Sequence, residues 1–233
     1  MTHRFFVDEE IDEYITLRGD QAHQIANVLR LGPGAHITLV RQDVESEVEL
    51  QSVAASEVRG RSIGKRHVDA EPRVRLTLAL PILRGNRTEE VIEAVAQLGV
   101  SRIVPFVSAR SVVRTLGPAK RERWIRVARE AAETARRGRT PEIDEPRDWD
   151  ELHSALDAPI VIAWEREAVT TLGAAMPKGP RFSLVIGPEG GLAMEEIELA
   201  RERGATTVSL GRRNLRSETA AISAVALVMA ARD

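Results

Sequence analysis

The sequence predicts an α/β protein, with a mainly parallel sheet and its helices over residues 73–233 and a small β-barrel or half-barrel over residues 1–70. Three observations carry this. From Arg73 onward, apolar runs of strand length alternate with segments of helical period. Before that point the runs are short and alternating, as in Ile37-Thr-Leu-Val40 and Val48-Glu-Leu-Gln-Ser-Val53, and are broken by Gly32-Pro33-Gly34. Near the end, two glycine-bearing turns, beginning at Gly187 and Gly211, each follow an apolar run and open a helix.

Taken in order, the barrel region holds one helix around His23 to Leu29, and Asp69-Ala-Glu-Pro72 reads as a linker. Val74 to Leu80 is a strand. Thr88 to Leu98 is a helix with Val91, Ile92, Val95 and Leu98 on one face, stopped by Gly99. Arg102 to Val107 is the next strand, and Pro118 suits the first turn of a long helix running to about Arg137. Ile160 to Trp164 is a strand. The run ending at Ile186 stops at Gly187-Pro188, and a helix opens at Met194. Thr207 to Leu210 is the last strand, followed by a helix entered through Ser217. That helix carries no charge from Ala220 to Ala231. A helix apolar all round must be covered all round, which its own sheet and a second copy of the chain would do. A homodimer is therefore expected.

Composition narrows the function classes. With no cysteine in 233 residues, disulfides, thiolate metal sites and cysteine nucleophiles are excluded. The five histidines, at 3, 23, 36, 67 and 153, lack ligand spacing, so no metal site is expected. No signal-like or membrane-spanning stretch is evident, and a cytoplasmic location without a membrane partner is expected. The net charge of −2 leaves room for an RNA partner only because charge is unevenly spread.

Two glycine loops at the ends of neighbouring strands would form a cleft where backbone presses on a flat ligand. The spacing G-x-x-G-G is not a dinucleotide fingerprint, and no P-loop occurs. Glu189, Glu195 and Glu196 already occupy the positive end of the following helix dipole, so a phosphate is disfavoured. A positively charged ligand fits better, and S-adenosylmethionine (SAM), with its sulfonium and amino groups, is one. Standing alone, the first loop reads as a plain tight turn. Trp164 ends a strand beside this cleft, where core packing and stacking on adenine are equal readings.

Here the chain resembles the RsmE family, SPOUT-class methyltransferases that modify N3 of a uridine in 16S ribosomal RNA. The likeness runs through His23-Gln-Ile-Ala-Asn-Val-Leu-Arg30 with Gly34, Leu83-Arg-Gly-Asn-Arg87, Gln97-Leu-Gly-Val100, Ile103-Val-Pro105 and Arg110-Ser-Val-Val113. It continues in Arg123-Trp124, Glu130-Ala-Ala-Glu133, Ile186-Gly-Pro-Glu-Gly-Gly191 and Leu210 through Ala220. The resemblance implies a deep trefoil knot in the C-terminal domain, a PUA-like N-terminal barrel that helps hold RNA, the small ribosomal subunit as partner, and a dimer. Departures from the family pattern fall at Gln97, Thr134, Ala193, Asn214 and Ser217. Ala193 removes a helix N-cap at a cost of about 1 kcal/mol. None removes a loop glycine.

Carried onto this sequence, the family pattern places the cofactor at Trp164, Glu165, Ile186, Gly187, Gly191, Leu210, Gly211, Leu215, Thr219 and Ala220. Arg216 is expected to stabilise a uridinate. Glu218 is a proton-acceptor candidate, although its position also suits a first-turn complement to the dipole of a Ser217-capped helix. The segment 110–139 is locally basic, and Arg110, Arg136, Arg137 and Arg139, with Arg4 and Arg30 from the barrel, are expected to meet the RNA backbone. His23 is expected to be a packed barrel residue. The competing readings are a knotted-fold 2′-O-ribose methyltransferase of tRNA or rRNA and a non-catalytic RNA-binding or assembly factor. A nicotinamide oxidoreductase lacks its fingerprint.

Overall fold

A computed structural model describes residues 3–232. Its contacts divide the chain into two compact units, residues 1–71 with 132–140, and residues 72–131 with 141–233.

In the first unit, β1 (His3–Phe6), β2 (Tyr14–Arg18), β3 (His36–Arg41), β4 (Val44–Val53) and β5 (Glu57–His67) form one sheet in the order β1-β3-β4-β5-β2. β1 and β3 run parallel and the remaining pairs antiparallel. The alternation in β3 and β4 drives Ile37, Leu39, Val48 and Leu50 inward, where they meet Phe5, Leu17 and Val58 in one apolar cluster. The helix expected here is α1 (Gly19–His23), continued as a π-helical turn over Gln24–Val28 that buries Ala22 and Ile25. His23 is exposed rather than packed in the barrel, its ring nitrogen 2.9 Å from the Asn27 amide.

The piece 132–140 joins this unit through charge. Glu71 receives Arg137 through two guanidinium N–H groups at 2.9 and 3.2 Å, and the backbone N–H groups of Gly138 and Arg139 at 2.9 and 3.2 Å. The Arg137 carbonyl in turn accepts from Arg4 at 2.8 Å, and Arg4 pairs with Glu45. Burial pushes the Glu45 carboxyl up, but hydrogen bonds and charge from Arg4 and Arg66 outweigh it and hold it below the ordinary range. Arg137 is 2 % exposed.

In the second unit the elements are β6 (Arg75–Pro81), α2 (Arg87–Leu98), β7 (Arg102–Val107), α3 (Pro118–Thr134, whose last turn belongs to the first unit), β8 (Glu142–Ile143), β9 (Arg147–Asp148), α4 (Trp149–Ala155), β10 (Ile160–Ala163), β11 (Arg181–Ile186), α5 (Met194–Glu202), β12 (Thr206–Val208) and α6 (Ser217–Arg232). Among the described residues every pairing in the sheet is parallel, in the order β12-β10-β11-β6-β7-β8, with β9 also beside β7. Both faces are covered, which explains the near-continuous apolar runs. Leu76, Leu78, Phe182, Leu184 and Val161 point into one cluster with Val91, Val95, Ala224 and Val228 of α2 and α6. Ala79, Ile160, Ile162 and Val185 point into the other with Leu152 of α4 and Ile197 of α5.

Gly99 ends α2 in the left-handed region at φ +108°, and a Cβ there would lie 2.3 Å from Pro72. α6 is not covered all round. It buries Ala221, Ala224, Val225, Val228 and Met229 on one face, and Leu227 on the other is 55 % exposed. Nor is Ser217 its cap, because Ala220 N–H donates to the Arg216 carbonyl at 2.8 Å, making Arg216 the residue that precedes the first turn.

Arg137→Ala strands Glu71 inside the first unit, so it should cost about 3 kcal/mol in urea unfolding, in the range for breaking a buried pair. A loss under about 0.5 kcal/mol would show that the pair is not structural.

Candidate active site

Among the described residues the strands of the second unit all point the same way, so the connections after β6, β7, β10, β11 and β12 leave from their carboxyl edge. The two glycine loops do not leave neighbouring strands as expected. β10 lies between β11 and β12, so the connection that leaves it at Trp164–Glu165 stands between the loops.

The contacts there are close. Gly191 sits at φ +71°, and a Cβ on it would fall 2.6 Å from Glu165 Oε1. A Cβ on Gly190 would lie 3.0 Å from the Arg110 backbone oxygen, and the Arg110 guanidinium reaches the Gly190 carbonyl at 3.4 Å. Gly211, at φ +108°, donates its N–H to Ser209 Oγ at 3.2 Å, and a Cβ there would meet only the tip of Arg213 at 3.8 Å. This is room for a ligand against bare backbone.

Carboxylates fasten the loops to one another. Glu196, buried at the start of α5, accepts Ala193 N–H and Ala109 N–H, each at 2.8 Å. It thereby supplies half of a capping box where Ala193 has no side-chain acceptor. Glu167 lies in the connection between β10 and β11. It accepts the Thr207 hydroxyl at 2.7 Å, the N–H groups of Val169 and Thr170 at 3.0 and 3.2 Å, and Arg201 at 3.2 Å. Led by the Thr207 hydrogen bond, these partners pull its pKa down to about 2. The same connection is sewn to the chain leaving β12, with Ser209 N–H on the Thr170 carbonyl at 2.7 Å and Leu172 N–H on the Ser209 carbonyl at 3.2 Å.

A mixed-charge row runs along the edge. Glu189 Oε1 accepts Arg84 N–H at 3.2 Å and lies 3.7 Å from Arg87 Nη1. Arg87 Nε is 3.8 Å from Glu218 Oε1, and Arg216 Nη1 is 4.0 Å from the same oxygen. The other oxygen, Glu218 Oε2, is buried with no hydrogen-bond partner. Arg216 is exposed and Glu218 nearly covered.

The expected cofactor residues Glu165, Gly187, Gly191, Leu210, Gly211, Leu215, Thr219 and Ala220 lie on these loops or on the first turn of α6, with Ile186 buried at the end of β11. Trp164 takes the core-packing place of its two readings. The ring sits in the core on the α4–α5 side, with the Arg201 guanidinium 5.2 Å from its centroid. Of the expected RNA-facing arginines, Arg110 is exposed at this edge, and Arg30 and Arg136 are exposed in the first unit. Arg139 is exposed and paired with Asp43. Arg4 and Arg137 are buried in ion pairs and have no free face to offer a phosphate.

Sequence reasoning passed over Arg84, Arg87, Arg212 and Arg213, which the loops after β6 and β12 add to this edge. Leu83-Arg-Gly-Asn-Arg87 was legible as a motif without a role; its position beside Glu218 was not. Open glycine backbone, the Glu165 carboxylate and the nearby acidic side chains suit a cationic ligand such as SAM.

The chain carries an RNA methyltransferase domain. A sequence model of the RNA methyltransferase domain matches residues 70–229. More narrowly, the chain belongs to the ribosomal RNA small subunit methyltransferase E family. It is 32 % identical to the Bacillus subtilis member over 97 % of this chain and 95 % of that one. The Neisseria gonorrhoeae member, solved bound to SAM, superposes with a TM-score of 0.91 at 26 % identity, covering 99 % of this chain and 98 % of that one. A Legionella pneumophila protein solved with SAM gives 0.85 at 28 % identity, with 99 % and 98 % covered.

Two outcomes follow. Gly191→Val places a branched side chain against Glu165 at a left-handed φ, and SAM affinity by calorimetry should fall at least tenfold; undiminished affinity would remove the loop from the pocket. Because the Glu167 carboxyl is depressed in the folded state, its stabilisation is complete above its ordinary pKa near 4.5 and fades as pH falls toward about 2. Acid-unfolding curves of the unmodified protein and Glu167→Gln should therefore differ above pH 4.5 and merge near pH 2. A constant gap across that window would assign the effect to something other than this charge.

Proposed function

We propose that this chain binds SAM at the carboxyl edge of its parallel sheet and methylates N3 of a uridine in 16S rRNA of the small ribosomal subunit. The observation that carries this reading is the buried, unpartnered Glu218 Oε2, with Arg216 beside it and the open Gly211 backbone on the same loop. Leaving an acceptor unpaired costs about 1–3 kcal/mol, so a ligand donor that occupies it accounts for its retention.

SAM supplies an electrophilic methyl group held next to a sulfonium. The cofactor set is backbone at Gly187, Gly191, Leu210 and Gly211, closed by Ile186, Leu215, Thr219 and Ala220, with Glu165 facing the ribose hydroxyls or the amino group. Uridine N3 bears a proton that must leave before its electron pair can attack. Glu218 accepts that proton, and Arg216 stabilises the charge spread onto O2 and O4. Alignment contributes up to about 7–11 kcal/mol of barrier reduction. The absence of cysteine fits this direct route, because covalent addition to a pyrimidine carbon commonly uses a thiolate.

The 165–180 connection closes over the chain leaving β12 as the loop of a trefoil knot. The Thr171–Ser209 bridge and the grip of Arg232 on the Lys178 and Gly179 carbonyls at 2.9 Å favour this. The first unit is a PUA-like RNA-holding module, with Arg30, Arg136 and Arg139 as its contacts, while Arg110, Arg212 and Arg213 serve at the sheet edge. The exposed face of α6 around Leu227 packs on a second copy in a cytoplasmic homodimer; no helix among the described residues is long and apolar enough to cross a membrane.

After incubation with SAM and small subunits lacking the modification, digestion and mass analysis should return 3-methyluridine. A 2′-O-methylated nucleoside would replace the reading with ribose methylation, and SAM binding without transfer would leave an assembly factor. Arg216→Ala should lower transfer at least 100-fold with SAM affinity changed less than threefold. If both fall together, Arg216 is structural.

A further inference from the structure

The proposed chemistry uses Glu218 and Arg216, but the same carboxylate has a second cationic neighbour with no assigned task. Arg87 stands at the start of α2, between Glu189 and Glu218. It is 40 % exposed, and no hydrogen bond to either carboxylate accompanies its 3.7 and 3.8 Å approaches. Its N–H groups are therefore still available to a ligand. Arg216 approaches Glu218 Oε1 at 4.0 Å and is 76 % exposed. The result is a carboxylate with two guanidiniums near Oε1 and with Oε2 unpartnered.

We infer that Arg87, Glu218 and Arg216 together read the imide edge of a uracil, with Arg87 as a specificity-determining residue that donates to one carbonyl while keeping Glu218 in place. This rests on the methyltransferase reading above and adds the means of base selection. In chemical terms the site offers two donors and one acceptor. Uracil alone among the four bases presents acceptor, donor, acceptor along O2, N3–H and O4. Cytosine offers an acceptor at N3, which would face Oε2 acceptor to acceptor. Guanine presents N2–H₂ where a carbonyl is required, and that amino group would face a guanidinium. A site built to hydrogen-bond one edge rejects an analogue lacking it by far more than a shape difference could, because the site's polar groups are left unpaired.

The step balances. Glu218 Oε2 takes the N3 proton, the freed N3 pair forms the N–CH₃ bond, and the S–CH₃ bond breaks with its electrons remaining on sulfur as the neutral thioether. The proton passes to water when the carboxylic acid ionises again. Arg87 sits between a carboxylate on the loop after β11 and one on the first turn of α6, so its loss would also leave Glu189 and Glu218 without an intervening cation.

The test is a double-mutant cycle on the full-length protein, with methyl transfer to unmodified small subunits and SAM affinity by calorimetry as separate readouts. Arg87→Gln should lower kcat/KM about 30-fold or more, Glu218→Gln about 100-fold or more, and the pair no further than threefold below Glu218→Gln. SAM affinity should stay within threefold throughout, which also certifies the fold. Arg87→Lys should recover only a small part, and guanidinium ion added to Arg87→Ala should restore transfer in a saturable way. Losses that multiply, or an Arg87→Gln defect that appears in SAM affinity, would overturn the inference while leaving the methyltransferase reading intact. An unmodified protein that yields no 3-methyluridine would remove that reading and this inference with it.

Discussion

Insertion of β10 between β11 and β12, in a sheet whose strands all run one way, is the constraint on which the rest of the site depends. Parallel pairing sends every connection to the same edge, and the inserted strand puts Glu165 between the two glycine loops. The 2.6 Å clearance between Glu165 and a Cβ at position 191 is a consequence of that order. So is the sewing of residues 170–172 to Ser209. Without this order, Gly191 would be an ordinary tight turn and Gly211 an ordinary loop start. With it, both lie at the carboxyl edge, where open α/β sheets bind ligands.

The loops at this edge are held by carboxylates. Glu196 anchors the start of α5 to the β7 loop, Glu167 anchors the connection after β10 to β12 and α5, and Glu189 anchors the β11 loop to Arg84. Each accepts backbone N–H groups that loops otherwise leave unsatisfied. The arginines between them keep the acidic row from repelling itself, and Arg87 and Arg216 leave N–H groups free toward solvent. The edge thus carries carboxylates and guanidiniums side by side in a chain of net charge −2.

Much of the second unit was legible because its signals are local. The apolar runs of Arg102–Val107 and Ile160–Ala163, the stop at Gly99 and the helix from Pro118 each follow from period, length and capping. Strand order was not legible, since nothing in a run of valines and isoleucines says which neighbour it takes; the glycine loops were accordingly placed on adjacent strands. Arginine roles failed for a related reason. Arg4 and Arg137 read as surface charge, but their partners Glu45 and Glu71 lie 41 and 66 residues away, and only tertiary structure brings them together. Ser217 read as a cap because serine commonly is one, yet Arg216 takes that place. The loop glycines and Glu218 stand in motifs the sequence displays, whereas only tertiary structure brings Arg87 beside Glu218.

A crystal structure of the protein soaked with SAM tests the central claim most directly. The cofactor should lodge between residues 187–191 and 210–216, with its adenosine against the Leu210 and Gly211 backbone and its methyl directed toward Glu218 Oε2. Density for it elsewhere, such as the apolar cavity lined by Trp149, Leu152, Leu156 and Leu199 on the far side of the sheet, would place the cofactor site away from the glycine loops. Such a site, or a bound pose in which Glu218 is walled off from the methyl group, would contradict the central claim.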